Sequence, residues 1–155
     1  MRAYELGFEK EKKFGACSQM VLTTVQELLG TIDDSLIKAS HSLAGGGAGC
    51  EDGTCGALAG GLLAIGSEFG RDVQKFGEDV DATYKELGKI LHDRFVNGFG
   101  SVVCSNVREK IDSLPVEIGT GDAEKEILVS DCTGVVGVTG AWSVEILLNK
   151  GIYPL

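Results

Sequence analysis

Val135–Trp142 reads "VVGVTGAW", and the reading of this stretch decides the fold. Its valines and threonine favour a strand by propensity. The surrounding pattern opposes that: Leu128, Cys132, Val135, Thr139, Trp142 and Ile146 recur at helical spacing, so one apolar face runs through the segment and beyond it on both sides. We therefore read it as helix. Asp122 is predicted to cap this last helix, with Glu124 and Glu126 in its first turn, where the macrodipole favours acids. Gly151 and Pro154 close it. Upstream, Leu114-Pro115 stops the preceding helix, because proline disfavours helix in the residue before it, and Val116–Gly121, "VEIGTG", reads as a loop.

The same period recurs towards the N-terminus. Cys17, Met20, Val21, Thr24, Val25 and Leu28 form one face, ended by Gly30 at the C′ position. Thr31, with Asp34 three residues on, resembles a capping box opening a second helix through Ile32, Leu36, Ala39, Ser40 and Leu43. A third helix is predicted to start near Cys55, with Thr54 as its N-cap and Leu58, Leu62, Ile65 and Phe69 as its apolar face. Beside that face runs a stripe of small residues: Ala57, Gly60, Gly61 and Ala64. Each internal glycine costs up to about 1 kcal/mol relative to alanine, so the stripe predicts close approach by a neighbouring helix or ligand. Val80, Tyr84, Leu87, Ile90, Leu91 and Phe95 define a fourth helix with a break at Asn97–Gly98, and Phe99, Val103, Val107 and Ile111 a fifth, with Cys104 at its edge. The expected fold is all-α: one domain over residues 1–155, a compact bundle of five to six helices with one glycine-rich loop.

Composition narrows the function. The 155 residues are 43% hydrophobic with a net charge of −9, which opposes nucleic-acid binding and attraction to an anionic membrane. The N-terminus, "MRAYELGFEKEKKFG", is charged and has no apolar signal core. No apolar run reads as a membrane span. The expected compartment is the cytoplasm, where thiols stay reduced unless they are redox-active or bind metal.

The cysteines number five, so complete intramolecular disulfide pairing is impossible. Neither Cys-x-x-Cys nor a haem-attachment motif occurs. Cys50 and Cys55 lie in Gly45–Gly61, "GGGAGCEDGTCGALAGG". At a predicted helix start, free N–H groups and the macrodipole stabilise a thiolate, so a lowered pKa is expected for Cys55. Gly53 and Gly56 leave room around it. Cys17 opens a helix, and Cys104 and Cys132 sit on inward faces. Four helices bringing one cysteine each to a common interior is how a helical protein builds a cofactor site. Taken singly, each of these cysteines also reads as a small buried hydrophobe. Cys50, beside Glu51 and Asp52, reads as incidental. His41 ends the second helix, where a cation suits the dipole, with a role as ligand or proton donor as the sharper reading; His92 lies on a polar side. "GGGAG" lacks the preceding strand and following Gly-Lys-Ser/Thr of a phosphate loop.

Four pieces of the chain then resemble a family in order and rough spacing: Cys17 in "GACSQMVL", Cys55 in "GTCGALAGGLLAIGSEFG", Cys104 in "FGSVVCSNV" and Cys132 in "VSDCTGVV". The chain is similar to the C_GCAxxG_C_C redox-active proteins, small helical proteins found mainly in anaerobic bacteria and archaea. Where the family pattern has Gly-Cys-Ala, this chain has Cys55-Gly56-Ala57. The cysteine module also resembles the N-terminal part of split-Soret cytochromes, which is associated with an iron–sulfur centre. The resemblance implies redox chemistry or metal–sulfur binding. The reading built on it is electron transfer through an iron–sulfur cluster, or another thiolate-ligated metal, on Cys17, Cys55, Cys104 and Cys132. Cys50 is a candidate substitute ligand, Gly53 and Gly56 lie beside the cofactor, and a redox partner protein exchanges electrons with it. Two alternatives stay open. One is metal-free thiol–disulfide exchange, with Cys55 attacking and Cys50 or Cys17 resolving. The other is a structural module with buried thiols, pairing as a homodimer through its small-residue helix face.

Overall fold

In a computed structural model, which describes residues 1–119 and 126–154, the chain runs through α1 (Arg2–Phe14), α2 (Cys17–Leu29), α3 (Asp34–Ser40), α4 (Gly56–Phe69), α5 (Thr83–Phe99), α6 (Cys104–Ser113), a hairpin of β1 (Val116–Gly119) and β2 (Glu126–Val129), and α7 (Cys132–Asn149). "VVGVTGAW" is helical, inside α7. Every residue from Gly134 to Val144 is buried, and α1, α2, α4 and α5 pack around them. Burial on all sides decides the conformation. Burying a valine is worth about 1.5–3 kcal/mol, against the roughly 0.7 kcal/mol or less of helix propensity that it gives up. The hydroxyls are satisfied within the helix: Thr139 Oγ1 donates to the Val135 carbonyl at 2.7 Å and Ser143 Oγ to that of Thr139 at 2.8 Å. By length and composition α7 is apolar enough to cross a membrane, contrary to the expectation that no stretch would be, but most of it is buried inside the fold.

The chain is mostly helical, in line with the all-α expectation, but the described residues hold seven α-helices where five to six are expected, together with a small two-stranded antiparallel sheet. The helix not foreseen is α1. It packs along α7 at close range, since a Cβ added to Gly137 would stand 2.8 Å from the ring of Tyr4. The hairpin replaces the predicted loop and helix start. Val116 pairs with Val129 and Gly119 with Glu126, and the indole N–H of Trp142 donates to the Gly119 carbonyl at 3.0 Å. Here Val116 and Ile118 face Val129 and Ile127 across the ladder, a β-branched pairing that outcompetes the helical period. Glu126 and Leu128 belong to β2, and Asp122 and Glu124 lie outside the described residues. Asp131 caps α7, accepting from the N–H groups of Thr133 at 2.9 Å and Gly134 at 3.3 Å.

Other boundaries shift for local reasons. Asp33, not Thr31, caps α3, accepting the Ser35 N–H at 2.7 Å. The next residues, His41–Leu43, form a short 3₁₀ turn. Thr54 is held in a bridge with Val103, so Cys55 becomes the N-cap of α4. No break falls at Asn97–Gly98: α5 runs on until Gly100 turns left-handed at φ 76°, and Gly98 is where Ile118 of the hairpin presses in. The buried face of α5 is Leu87, Leu91, Phe95 and Phe99, while Val80, Tyr84 and Ile90 are exposed. The small-residue stripe of α4 does serve close packing, with Gly60 seated on the Ser18 carbonyl of α2.

Candidate functional site

Four of the five cysteines stand at the N-terminal ends of four different helices. Cys17, Cys104 and Cys132 are the first residues of α2, α6 and α7, and Cys55 is the N-cap of α4. Local structure brings each into place. The turn from α1 into α2 passes through Gly15 and Ala16, both at positive φ, 69° and 65°, with Ala16 left-handed. At the non-glycine Ala16 this is a strained conformation, immediately before Cys17. Around the Thr54–Val103 bridge, the Cys55 N–H donates to the Val102 carbonyl at 2.7 Å and the Cys104 N–H to the Gly53 carbonyl at 2.9 Å. Cys55 and Cys104 thus each follow directly on one of the two bridged residues.

All four cysteines line one cavity of about 280 Å³, with apolar walls from Ala57, Val107, Val135 and Val136 and with Glu11 and Arg108 as its charged members. Among the described residues, no three His, Cys, Asp or Glu side chains form a group that could hold a metal ion. Cys55 and Cys104 are buried, Cys17 is half-buried, and Cys132 is exposed at the rim.

Burial pushes the Cys55 thiol up to about 12, against the N–H groups of Ala57 and Leu58, which favour the thiolate. The expected lowered pKa is therefore overturned: taking the sulfur out of water outweighs the helix N-terminus. Cys17 is also raised by burial, opposed by the Gly45 N–H. Surrounding protein pushes Cys132 up to about 11, with Arg108 pulling it down. Cys104 is raised by burial and by Cys17, again against Arg108. Glu11, on α1, is raised by burial to about 7, and its buried Oε2 has no hydrogen-bond partner. The Arg108 guanidinium pairs with the Glu51 carboxylate of the glycine loop.

The glycine loop shapes this site from behind. Gly45 lines the cavity, and Gly46 lies so close to Cys104 that a Cβ there would stand 2.8 Å from that residue's own. The two glycines singled out from sequence work by proximity. A Cβ on Gly56 would meet the Cys17 Sγ, and one on Gly53 would meet the Gly46 carbonyl. Neither is among the residues lining the cavity. Cys50 is exposed and outside it, and Cys50 and Cys55 are both free thiols. His41 is exposed beside Lys38 on the outer surface, and His92 pairs with its neighbour Asp93.

Two cavity residues escaped the sequence reading. Arg108 follows Cys104 by four residues, one helical turn, and Glu11 follows Gly7 by four on the packed face of α1. Once α1 is recognised as a helix, the spacing of Tyr4, Gly7 and Glu11 is the signal. Neither a curated protein nor a solved structure matches the chain. Residues 16–146 match the model of a family described as "Putative redox-active protein (C_GCAxxG_C_C)", and the chain belongs to that family.

Proposed function

We propose that this protein transfers electrons and holds an iron–sulfur cluster, or a similar thiolate-ligated centre, on Cys17, Cys55, Cys104 and Cys132. The observation that carries the reading is that four cysteines, far apart in sequence, line one cavity of about 280 Å³. The donor set suits such a group, since iron–sulfur clusters are held by cysteine thiolates, commonly four. Four thiols lining a cavity of this volume suit a body of several atoms better than a lone ion. When bound, the cluster supplies one-electron chemistry.

The chain's own groups set the conditions for it. Four helix N-termini face the cavity, each favouring negative charge by about 0.3–1 kcal/mol. N–H groups of Gly45, Ala57 and Leu58 are placed to donate to the sulfurs of Cys17 and Cys55, and hydrogen bonds to cluster sulfur tune its potential. The valine and alanine walls limit water. Cys132, exposed at the rim, marks the side that a redox partner protein approaches. With thiols at about 11 and 12, the metal-free chain is neutral at these positions near pH 7. Loading therefore releases protons and is favoured as pH rises. The same values disfavour Cys55 as a free attacking thiolate.

The test is iron and acid-labile sulfide per chain, with the visible spectrum, on protein purified without oxygen. Both are expected in the wild type, lost in Cys55→Ala and retained in Cys50→Ala. A wild type without iron and sulfide, or a Cys55→Ala variant that keeps its full iron, overturns the reading.

A further inference from the structure

Val103, the N-cap residue of α6, has no side chain able to cap it. The first two N–H groups of that helix are satisfied from the glycine loop instead: Cys104 donates to the Gly53 carbonyl and Ser105 to the Glu51 carbonyl, each at 2.9 Å. Glu51 is where these contacts converge. Its own N–H donates to the Gly45 carbonyl at 2.9 Å, its carbonyl takes the Ser105 N–H, and its carboxylate pairs with Arg108 further along α6. Its backbone stands at a positive φ of 65°, which a residue with a side chain keeps only where its surroundings hold it. Beside it, Gly46 lies against the Cβ of Cys104.

This loop has no apolar anchor. Residues 45–53 include five glycines, and Ala48, Cys50, Glu51 and Asp52 are all exposed. Glycine loses more conformational freedom on folding than any other residue, and a segment with few buried apolar contacts opens more readily than the core. The pair of Glu51 with Arg108 is half-exposed on both sides, so salt weakens it. We propose that residues 45–53 are a strap over Cys104 and the start of α6, latched by Glu51 on Arg108, and that breaking this pair opens the strap, uncaps α6 and uncovers Cys104. Cys132 is exposed with the strap closed, so the latch governs access to Cys104 and not to it. The strap goes beyond the iron–sulfur reading and does not depend on what the sulfurs bind.

The experiment is hydrogen exchange read amide by amide by mass spectrometry. It compares wild type, Glu51→Gln, Arg108→Gln and the charge swap Glu51→Arg with Arg108→Glu, each reduced and prepared without oxygen. The reporters are the N–H groups of Cys104 and Ser105, and Glu51→Gln leaves the sequence around them unchanged. Both are expected to exchange about two- to fivefold faster in each single variant and to return towards the wild-type rate in the swap. The amide of Ile111, buried further along α6, is expected to keep its rate. In the wild type the two reporters are also expected to speed up with salt by a similar factor, and in Glu51→Gln to be indifferent to it. Unchanged exchange at Cys104 and Ser105 in Glu51→Gln overturns the inference. So does acceleration that reaches Ile111 equally, which is loss of the helix rather than opening of a strap. The salt series on wild type and Glu51→Gln decides the matter even where the swap fails to fold. No readout here involves iron or sulfide, so a wild type without a cluster removes the reading above and leaves the strap standing.

Discussion

A methyl group added to Gly56 would collide with the sulfur of Cys17 and stand 3.1 Å from the Leu43 carbonyl. The first residue of α4 thus keeps open the space taken by the first side chain of α2. In an isolated helix, Gly56→Ala would gain up to about 1 kcal/mol. Here the overpacking costs about 1–3 kcal/mol and falls on a sulfur of the site. If the protein holds the proposed iron–sulfur centre, Gly56→Ala is expected to keep its far-ultraviolet circular dichroism and to carry much less iron than the wild type. Iron content measured alongside the urea midpoint checks this, and unchanged iron would mean that Cys17 is not held where the cavity needs it.

Gly137 bears on the fold rather than the site. The Tyr4 ring lies where a Cβ would point, at 2.8 Å, with the Tyr4 carbonyl at 2.9 Å. A flexible side chain could swing away, but the carbonyl belongs to the backbone of α1. Gly137→Ala is expected to lower stability by about 1–3 kcal/mol and to loosen α1 selectively. Urea unfolding gives the size of the effect, and hydrogen exchange on α1 amides its location.

How far the sequence was legible follows from which forces were local. The face through Cys17, Val21 and Val25 and its stop at Gly30 follow directly from helical period and left-handed glycine, and both stand. The helical reading of Val135–Trp142 stands because the pattern on either side records burial, which outweighs β propensity. The hairpin was illegible because its strands are only four residues each and its packing depends on Trp142, more than a dozen residues downstream. α1 was missed because its charges hid the short run Ala3, Tyr4 and Gly7 that meets α7. At the site, the four cysteines were identifiable as candidates, and their convergence was inferred from inward faces and family resemblance. Their shared position at helix N-termini was seen only for Cys17 and Cys55, since the starts of α6 and α7 depend on the Thr54–Val103 bridge and the Asp131 cap. The Cys55 pKa was misjudged because sequence shows a helix end but not the depth at which it is buried.

Glu11 gives the metal-free chain a pH-dependent stability. Its carboxyl is raised from 4.5 to about 7 by burial, so between those values the native state holds a proton that the unfolded chain has released. Stability is then highest below about pH 4.5 as far as this group is concerned, and falls as pH rises through 7. The side chain is only half-buried, and solvent screening leaves about 1–2 kcal/mol of effect. Glu11→Gln, which stays neutral, is expected to flatten this slope between pH 5 and 8. Urea titrations of both proteins across that range test the sign, and parallel curves would show that Glu11 is not buried in solution.

Arg108 lies on the cavity wall near Cys132, an exposed residue whose thiol the protein around its sulfur raises and Arg108 lowers. Removing the guanidinium takes away the cation that favours the Cys132 thiolate, so this thiol should become a weaker acid in Arg108→Ala. At a pH where the thiol form dominates, the thiolate fraction is proportional to the acid constant, so a threefold weaker acid is alkylated about threefold more slowly. Cys132 is the exposed member of the four, and hence the one iodoacetamide reaches first in the reduced, metal-free chain. The expected result is slower labelling of Cys132 at pH 8.5 in Arg108→Ala, read by mass spectrometry of the peptide that contains it. Cys50, exposed and outside the cavity, serves as the internal reference. Faster labelling of Cys132 with Cys50 unchanged would show that Arg108 instead shields the cavity mouth, and that its pairing with Glu51 closes the site more than its charge tunes it.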